Sequence, residues 1–290
     1  MSEDQIVAIV LNNDKNFQPY MNLLRGNSFP IFMSGQSVKG QVKIILSQGE
    51  KLKHRGIFIK IMGLYKMNDS IIKEVLIEQQ QISSPGVISS LSSFDFEFQH
   101  IQIPFPSYHG FQYSLIYEIS ATVKKIFTEY SAQHQIIFLQ PFTVPISQIQ
   151  PISIEYRTNT TYFEFFSDSN IISTDGMIKG EIRIKDNKCS NIDLVYIQIV
   201  ACERLRLGSE PKIIEHPLLH YQLIDGMPKA GQNVPFIIQL SPLKLWTTRS
   251  IRGIRIDVSF RLEIYALAGS TKISIGKSPI YFYLRPISSN

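Results

Sequence analysis

Ile254-Arg255-Ile256-Asp257-Val258-Ser259-Phe260-Arg261-Leu262-Glu263-Ile264 alternates without a break. Ile254, Ile256, Val258, Phe260, Leu262 and Ile264 fall on one face of an extended chain, and Arg255, Asp257, Ser259, Arg261 and Glu263 on the other. A side-chain period of two belongs to a strand, so this stretch is expected to lie half buried in a sheet. Working outward, Phe94, Phe96 and Phe98 alternate with Asp95, Glu97 and Gln99. Tyr113, Leu115, Tyr117 and Ile119 alternate with Ser114, Ile116, Glu118 and Ser120, and Ile57, Ile59 and Ile61 behave similarly. Apolar spacing of helical period is not sustained anywhere, and β-branched and aromatic residues are abundant. The expected class is all-β, with antiparallel sheets stacked as sandwiches.

The chain also reads as two related halves. Val38-Lys39-Gly40-Gln41-Val42-Lys43-Ile44 returns as Ile178-Lys179-Gly180-Glu181-Ile182-Arg183-Ile184, 140 residues later. Each copy is followed by a second apolar strand, Gly56 to Ile61 and Ile192 to Val200. Further on, Phe96-Glu97-Phe98 to Ile103-Pro104 corresponds to Pro235-Phe236-Ile237-Ile238 to Leu240-Ser241-Pro242. Pro141, Pro145 and Pro151 cluster between the halves and mark a linker. Two domains are therefore expected, residues 1–145 and 146–290. Ser83 to Ser93, rich in serine and carrying Pro85-Gly86, reads as a loop between strands.

Charge and composition narrow the function. Charged residues make up 18% of the chain and hydrophobic ones 44%, which excludes a disordered polymer. The net charge is +5, spread without a basic run, so nucleic acid is not an expected partner. Met1-Ser2-Glu3-Asp4-Gln5 is acidic where a secretory signal is basic, and the apolar stretch behind it is broken by Asn12, Asn13 and Asp14. No window approaches the roughly 18 apolar residues of a membrane span. Cys189 and Cys202 are the two cysteines. A cytoplasmic protein with free thiols, touching membranes peripherally if at all, is the expectation.

Reactive constellations are sparse. Asp95 and Glu97 share a strand face as paired carboxylates would, yet the Phe94-Phe96-Phe98 alternation explains them as the polar side of an amphipathic strand. His216 and His220 have a helical metal-ligand spacing, but Pro217 and a strand-like context argue against a helix. A Gly-x-Ser-x-Gly elbow and a phosphate-cradling glycine loop are both missing from the sequence. Asn68-Asp69-Ser70 and Asn159-Thr160-Thr161 match the glycosylation acceptor pattern, and without an export signal they read as coincidences. Lys51, Lys53, His54 and Arg55 form a basic cluster suited to a solvated turn or to lipid headgroups. The expectation is a non-enzyme with no catalytic residue, no metal and no cofactor.

Ile9-Val10-Leu11-Asn12-Asn13, Gly35-Gln36-Ser37-Val38-Lys39-Gly40 and Gly49-Glu50-Lys51-Leu52-Lys53-His54-Arg55-Gly56-Ile57 with Gly63 resemble the opening of the vacuolar protein sorting 26 family. Phe94-Asp95-Phe96-Glu97-Phe98 leading to Ser107-Tyr108 and Gly110 is similar to a further family stretch. So is Tyr221-Gln222-Leu223-Ile224-Asp225-Gly226-Met227-Pro228 with Gly231 and Pro235. The likeness runs from about residue 8 to about 285.

The resemblance implies two arrestin-like β-sandwiches forming the retromer arm that helps recruit cargo to endosomes. It implies binding to the helical-solenoid subunit, of the vacuolar protein sorting 35 family, at Leu223, Ile224, Asp225 and Gly226. Leu223 and Ile224 beside the Asp225-Gly226 turn signal serve as anchors if exposed on a loop, or as core residues if they end a strand. Sorting nexin and cargo tails are the other implied partners, on a surface around Ile146 to Phe165 where a tail would add a strand to a sheet edge. The implied location is the cytosolic face of endosomes, reached through the complex. The chain closes soon after Ile280 to Leu284, so the longer polar tail of some members is not expected. Tyr108-His109-Gly110 and Ala201-Cys202-Glu203 lean toward the arm of the related retriever complex, whereas Ile9 to Asn13 leans toward retromer. A receptor-binding arrestin-like adaptor and a β-sandwich carbohydrate-active enzyme or lectin are the remaining alternatives.

Overall fold

The structure, a computed structural model, describes residues 6–12, 29–141, 145–188, 192–206, 211–226, 229–243, 245–247, 249–251 and 256–285. Asn13, Cys189, Met227, Pro228, Ile254 and Arg255 lie outside the described residues. The chain divides into two compact units, Met1–Gln140 and Pro141–Asn290. Both are all-β and belong to the arrestin-like sandwich class.

In the first unit the strands are β1 (Val7–Leu11), β2 (Ile31–Met33), β3 (Val38–Ile44), β4 (Leu52–His54), β5 (Ile57–Met67), β6 (Ser70–Ser83), β7 (Gly86–Ile88), β8 (Ser92–Phe98), β9 (Tyr108–His109), β10 (Tyr113–Lys124) and β11 (Glu129–Leu139). One sheet runs β1-β3-β8 and the other β2-β11-β10-β5-β6, with β9 beside β10. Burial follows the alternation: Ile57, Ile59, Ile61, Tyr117 and Ile119 are fully buried, as are Val38, Val42 and Phe98 of the smaller sheet. The Tyr117 and Phe138 rings pack edge to face with centroids 5.1 Å apart. β1 touches β10 and β11 of the larger sheet, joining the two layers. The serine-rich segment expected to be a loop contains β7, which pairs with β4. Asn68 and Asp69, with φ of 47° and 65°, make the tight turn from β5 to β6. Their type suits the left-handed conformation that such a hairpin requires, which accounts for the first acceptor-like triplet.

The second unit contains β12 (Ile152–Arg157), β13 (Thr161–Ser167), β14 (Ile171–Ser173), β15 (Met177–Asn187), β16 (Leu194–Leu205), β17 (Lys212–Asp225), β18 (Asn233–Gln239), β19 (Arg249–Ile251), β20 (Ile256–Ala268) and β21 (Thr271–Tyr283). Its sheets run β12-β13-β15-β18 and β14-β21-β20-β16-β17, with β19 beside β20. The larger sheet repeats the first unit's order strand for strand, down to the parallel pair at its end: β2 with β11, β14 with β21. The smaller sheet also repeats, β13-β15-β18 for β1-β3-β8, and then adds β12. Phe163, Phe165, Ile178, Ile182, Ile199, Leu262 and Ile264 are buried in its core.

The repeated Lys-Gly pair has a physical cause. Gly40 lies between Leu11 and Phe96 in register, and a Cβ there would sit 2.4 Å from the Val10 carbonyl oxygen and 2.8 Å from the Phe96 ring. Gly180 lies between Ser167 and Phe236, and its Cβ would sit 2.1 Å from the Phe166 oxygen and 2.7 Å from the Phe236 ring. In each unit an aromatic ring from the neighbouring strand covers a bare glycine, a device that pins register. Gly40→Ala and Gly180→Ala are each expected to destabilise their unit by about 2 kcal/mol or more through overpacking. Gly63→Ala, whose Cβ would come no closer than 3.3 Å to its nearest neighbour, the Tyr117 ring, is expected to cost less. Urea unfolding of the three variants checks the order.

Candidate functional site

β17 borders the larger sheet of the second unit and, among the described residues, pairs only with β16. An edge strand exposes unpaired backbone groups and invites pairing with another chain. Pro217 and two register shifts interrupt β17, both devices that blunt an edge. One shift falls at the segment singled out in the sequence. Val195 pairs with Ile224 and Tyr196 with Gln222, so Leu223 is the extra, bulged residue. A bulge re-aims a side chain against the strand's alternation.

Leu223 and Ile224 are therefore strand residues rather than loop residues. Ile224 turns inward and is 6% exposed, which corrects the picture of two adjacent surface anchors. Leu223 is half-buried, and Asp225 and Gly226 are exposed. Gly226 has φ +80° with open space where a Cβ would be, so it turns the chain off the sheet in a conformation that favours glycine. The returning chain is fixed by Gly231 N–H donating to the Ile184 carbonyl and Ile184 N–H donating to Gln232. What the end of β17 presents is one bulged leucine, one carboxylate and a glycine turn.

The segment around Ile146 to Phe165 carries a single 3₁₀ turn, Ile146–Gln148, then β12 and the start of β13. β12 is an edge strand, with β13 as its one partner in the sheet among the described residues. Ile154 lies over Gly276 of β21, where a Cβ would come within 2.3 Å of its Cγ2, so the glycine admits β12 to the sandwich.

Elsewhere the suspected chemistry dissolves into structure. Gln41 Nε2 donates to Asp95 at 2.9 Å, and Lys39 Nζ lies 3.0 Å from Glu97, so both carboxylates serve pairs between β3 and β8. His216 and His220 lie on a strand, and the His220 ring nitrogen is 2.8 Å from the Tyr265 hydroxyl. Among the described residues no group of three His, Cys, Asp or Glu is placed to hold a metal ion. Also among them, no helix is long and apolar enough to cross a membrane.

One cluster is invisible in the sequence. Arg261 on β20 reaches across β16 to Glu215 on β17 with both terminal nitrogens, one contact at 2.5 Å, while its Nε donates to Glu263 at 2.6 Å. The same guanidinium lies 3.2 Å from Cys202 Sγ. Cys202 is a free, half-buried thiol whose pKa burial pushes up, the opposite of an activated nucleophile. Arg261, Glu215 and Cys202 line an open groove of about 580 Å³ with Arg204, Lys277 and Tyr281. The fork on Glu215 holds its carboxyl below the usual range. The alternation marked Arg261 only as outward-facing; Glu215 and Cys202 come to it from strands that are distant in sequence.

The family model for vacuolar protein sorting-associated protein 26, Vps26, matches residues 6–268. The chain belongs to the Vps26 family. Similar curated proteins are vacuolar protein sorting-associated protein 26B-B of Xenopus laevis, 25% identical over 81% of this chain and 70% of its own length. The 26B protein of Danio rerio is 25% identical over 81% of this chain and 71% of its own. That of Xenopus tropicalis is 26% identical over 81% and 70%. Vps26 proteins are trafficking subunits, so this chain is a retromer-type subunit of vacuolar protein sorting and not an enzyme.

Replacing Arg261 with Met removes the strap from β20 to β17 and is expected to cost about 1 kcal/mol at neutral pH, since Glu215 is largely solvated. Glu215 has a depressed folded pKa, so its contribution is present above the ordinary carboxylate value and is lost as pH falls through the folded one. The stability difference between wild type and Arg261→Met is expected to close below about pH 4. Thermal unfolding across a pH series measures it.

Proposed function

We propose that this chain is the arrestin-like arm of retromer, gripping the helical-solenoid subunit of the vacuolar protein sorting 35 family through the end of β17. The observation that carries the reading is the Tyr221 to Gly226 segment, in a chain matched by the Vps26 family over residues 6–268. At its end a bulge lifts Leu223 out of the alternation beside an exposed Asp225 and the Gly226 turn. A half-buried leucine next to a carboxylate is suited to a helical-repeat partner that offers an apolar slot and a free donor. Ile224 supports the platform from within, and Gly226 sets its turn.

Sorting nexin and cargo tails engage the segment around Ile146 to Phe165. The free edge of β12 favours strand addition there, with backbone hydrogen bonds supplying affinity and alternate side chains specificity. Such an arm works on the cytosolic face of endosomes, joined to the membrane peripherally through its complex.

Capture from native cytosol with mass spectrometry tests the grip. Leu223→Asp and Asp225→Lys are expected to lose the helical-repeat subunit about tenfold or more while keeping the wild-type melting temperature. Ile224→Asn is expected to lower the melting temperature, because it buries an amide in the core. Recovery of the retriever solenoid instead would place the chain in that complex. Retention of the solenoid by both surface variants would remove the end of β17 from the interface.

A further inference from the structure

The most exposed large hydrophobic residue among those described is Phe127, at 95%. It sits at the tip of the hairpin from β10 to β11, Lys125-Ile126-Phe127-Thr128, closed by Lys125 N–H donating to the Thr128 carbonyl at 2.8 Å. Its neighbour Ile126 is 54% exposed. A single exposed apolar side chain is ordinary. Two in succession at a protruding tip, one with almost all of its surface in water, mark a site that is covered in use.

The surroundings say what covers it. Arg55 N–H donates to the Lys124 carbonyl at 2.7 Å, and Lys124 N–H donates to Gly56 at 3.1 Å. These bonds bring the Lys51, Lys53 and Arg55 cluster against the base of the hairpin. Lys53 is opposite Val87 in the β4–β7 pair, and Val87 is itself 60% exposed. His54 is buried between these cations, and its Nδ1 accepts from Gly56 N–H at 3.2 Å, which holds the turn. The segments that meet here, 50–55, 83–88 and 124–129, carry Lys51, Lys53, Arg55, Lys124 and Lys125 against Glu50 and Glu129. None of the five cations meets a carboxylate among the described residues. Lys124 and Lys125 instead rest over the Phe58 and Tyr130 rings, at 4.6 and 4.9 Å.

We propose that the β10–β11 hairpin tip is a membrane-docking element, Ile126 and Phe127 entering the interfacial region of an anionic leaflet while the basic cluster meets lipid phosphates. An exposed apolar tip backed by cations that meet no carboxylate suits a planar, deformable, negatively charged phase, where apolar burial and headgroup attraction add. The inference stands on this unit alone and does not rest on the retromer reading.

The test uses the purified full chain with phosphatidylcholine vesicles, with and without phosphatidylserine. Phe127→Trp is expected to shift its emission to the blue on phosphatidylserine vesicles and to be quenched when the phosphatidylcholine is brominated. Wild type, whose only tryptophan is Trp246, is expected to change little. The double variant Ile126→Ser/Phe127→Ser is expected to co-sediment with those vesicles about tenfold less than wild type or weaker still, at an unchanged melting temperature. Lys124→Glu/Lys125→Glu is expected to do the same, and added salt to weaken wild type. Emission from Phe127→Trp that brominated lipid leaves unquenched, or co-sedimentation of the serine variant equal to wild type, overturns the proposal. If vesicles ignore the protein and the serine variant loses its solenoid subunit in cytosol capture, the tip docks a protein instead.

Discussion

A phenyl ring laid on a bare glycine holds each sandwich in register. In the first unit Phe96 covers Gly40, and in the second Phe236 covers Gly180. A one-residue slip of β3 against β8 would put a Cβ under the ring and turn the apolar face of the strand to solvent. The cores on either side, Val38, Val42 and Ile44 in one case and Ile178, Ile182 and Ile184 in the other, follow from that register. The carbonyl of the third strand closes over the same glycine, so one residue sets two pairings at once.

With registers set from the middle, binding surfaces fall to edges and tips. Both larger sheets end in a long strand of 14 residues, β6 and β17, and both strands are interrupted by register shifts. These breaks discourage indiscriminate pairing and at the same time create shaped positions. Leu223 is one: the bulge that blunts the edge also sets its side chain apart from Ile224. Arg261 ties that edge strand to the sheet interior through Glu215, a contact between non-neighbouring strands near the opposite end of β17 from Leu223. The second unit's additional edge strand, β12, has no counterpart among the described residues of the first, so the described sheets of the two related sandwiches end in different edges.

The surfaces differ in chemistry as well. The end of β17 offers a partly buried leucine and a carboxylate, which fits a structured protein partner. The β10–β11 tip of the other unit offers an exposed phenyl ring ahead of lysines and an arginine that meet no carboxylate among the described residues, which fits a lipid phase. An adaptor that joins a scaffold to a membrane would need both kinds.

The all-β class, the alternating strands and the recurrence of the Gly40 motif at Gly180 were determined by sequence alone, because a period of two and a glycine forced by close approach are local properties. Family membership was legible for the same reason: the shared motifs sit at turns and glycines whose geometry tolerates few alternatives. The tertiary structure decided the rest. Leu223 and Ile224 look equivalent in sequence, and only the bulge opposite Val195 and Tyr196 sends Ile224 into the core and leaves Leu223 at the surface. Lys51, Lys53 and Arg55 read as a basic turn, and only the bonds to Lys124 place them behind Ile126 and Phe127. Arg261 reads as one more solvent-facing charge until strands distant in sequence bring Glu215 and Cys202 beside it. Pairing between strands far apart in sequence is set by the whole sandwich, and no local pattern encodes which side chains it will bring together.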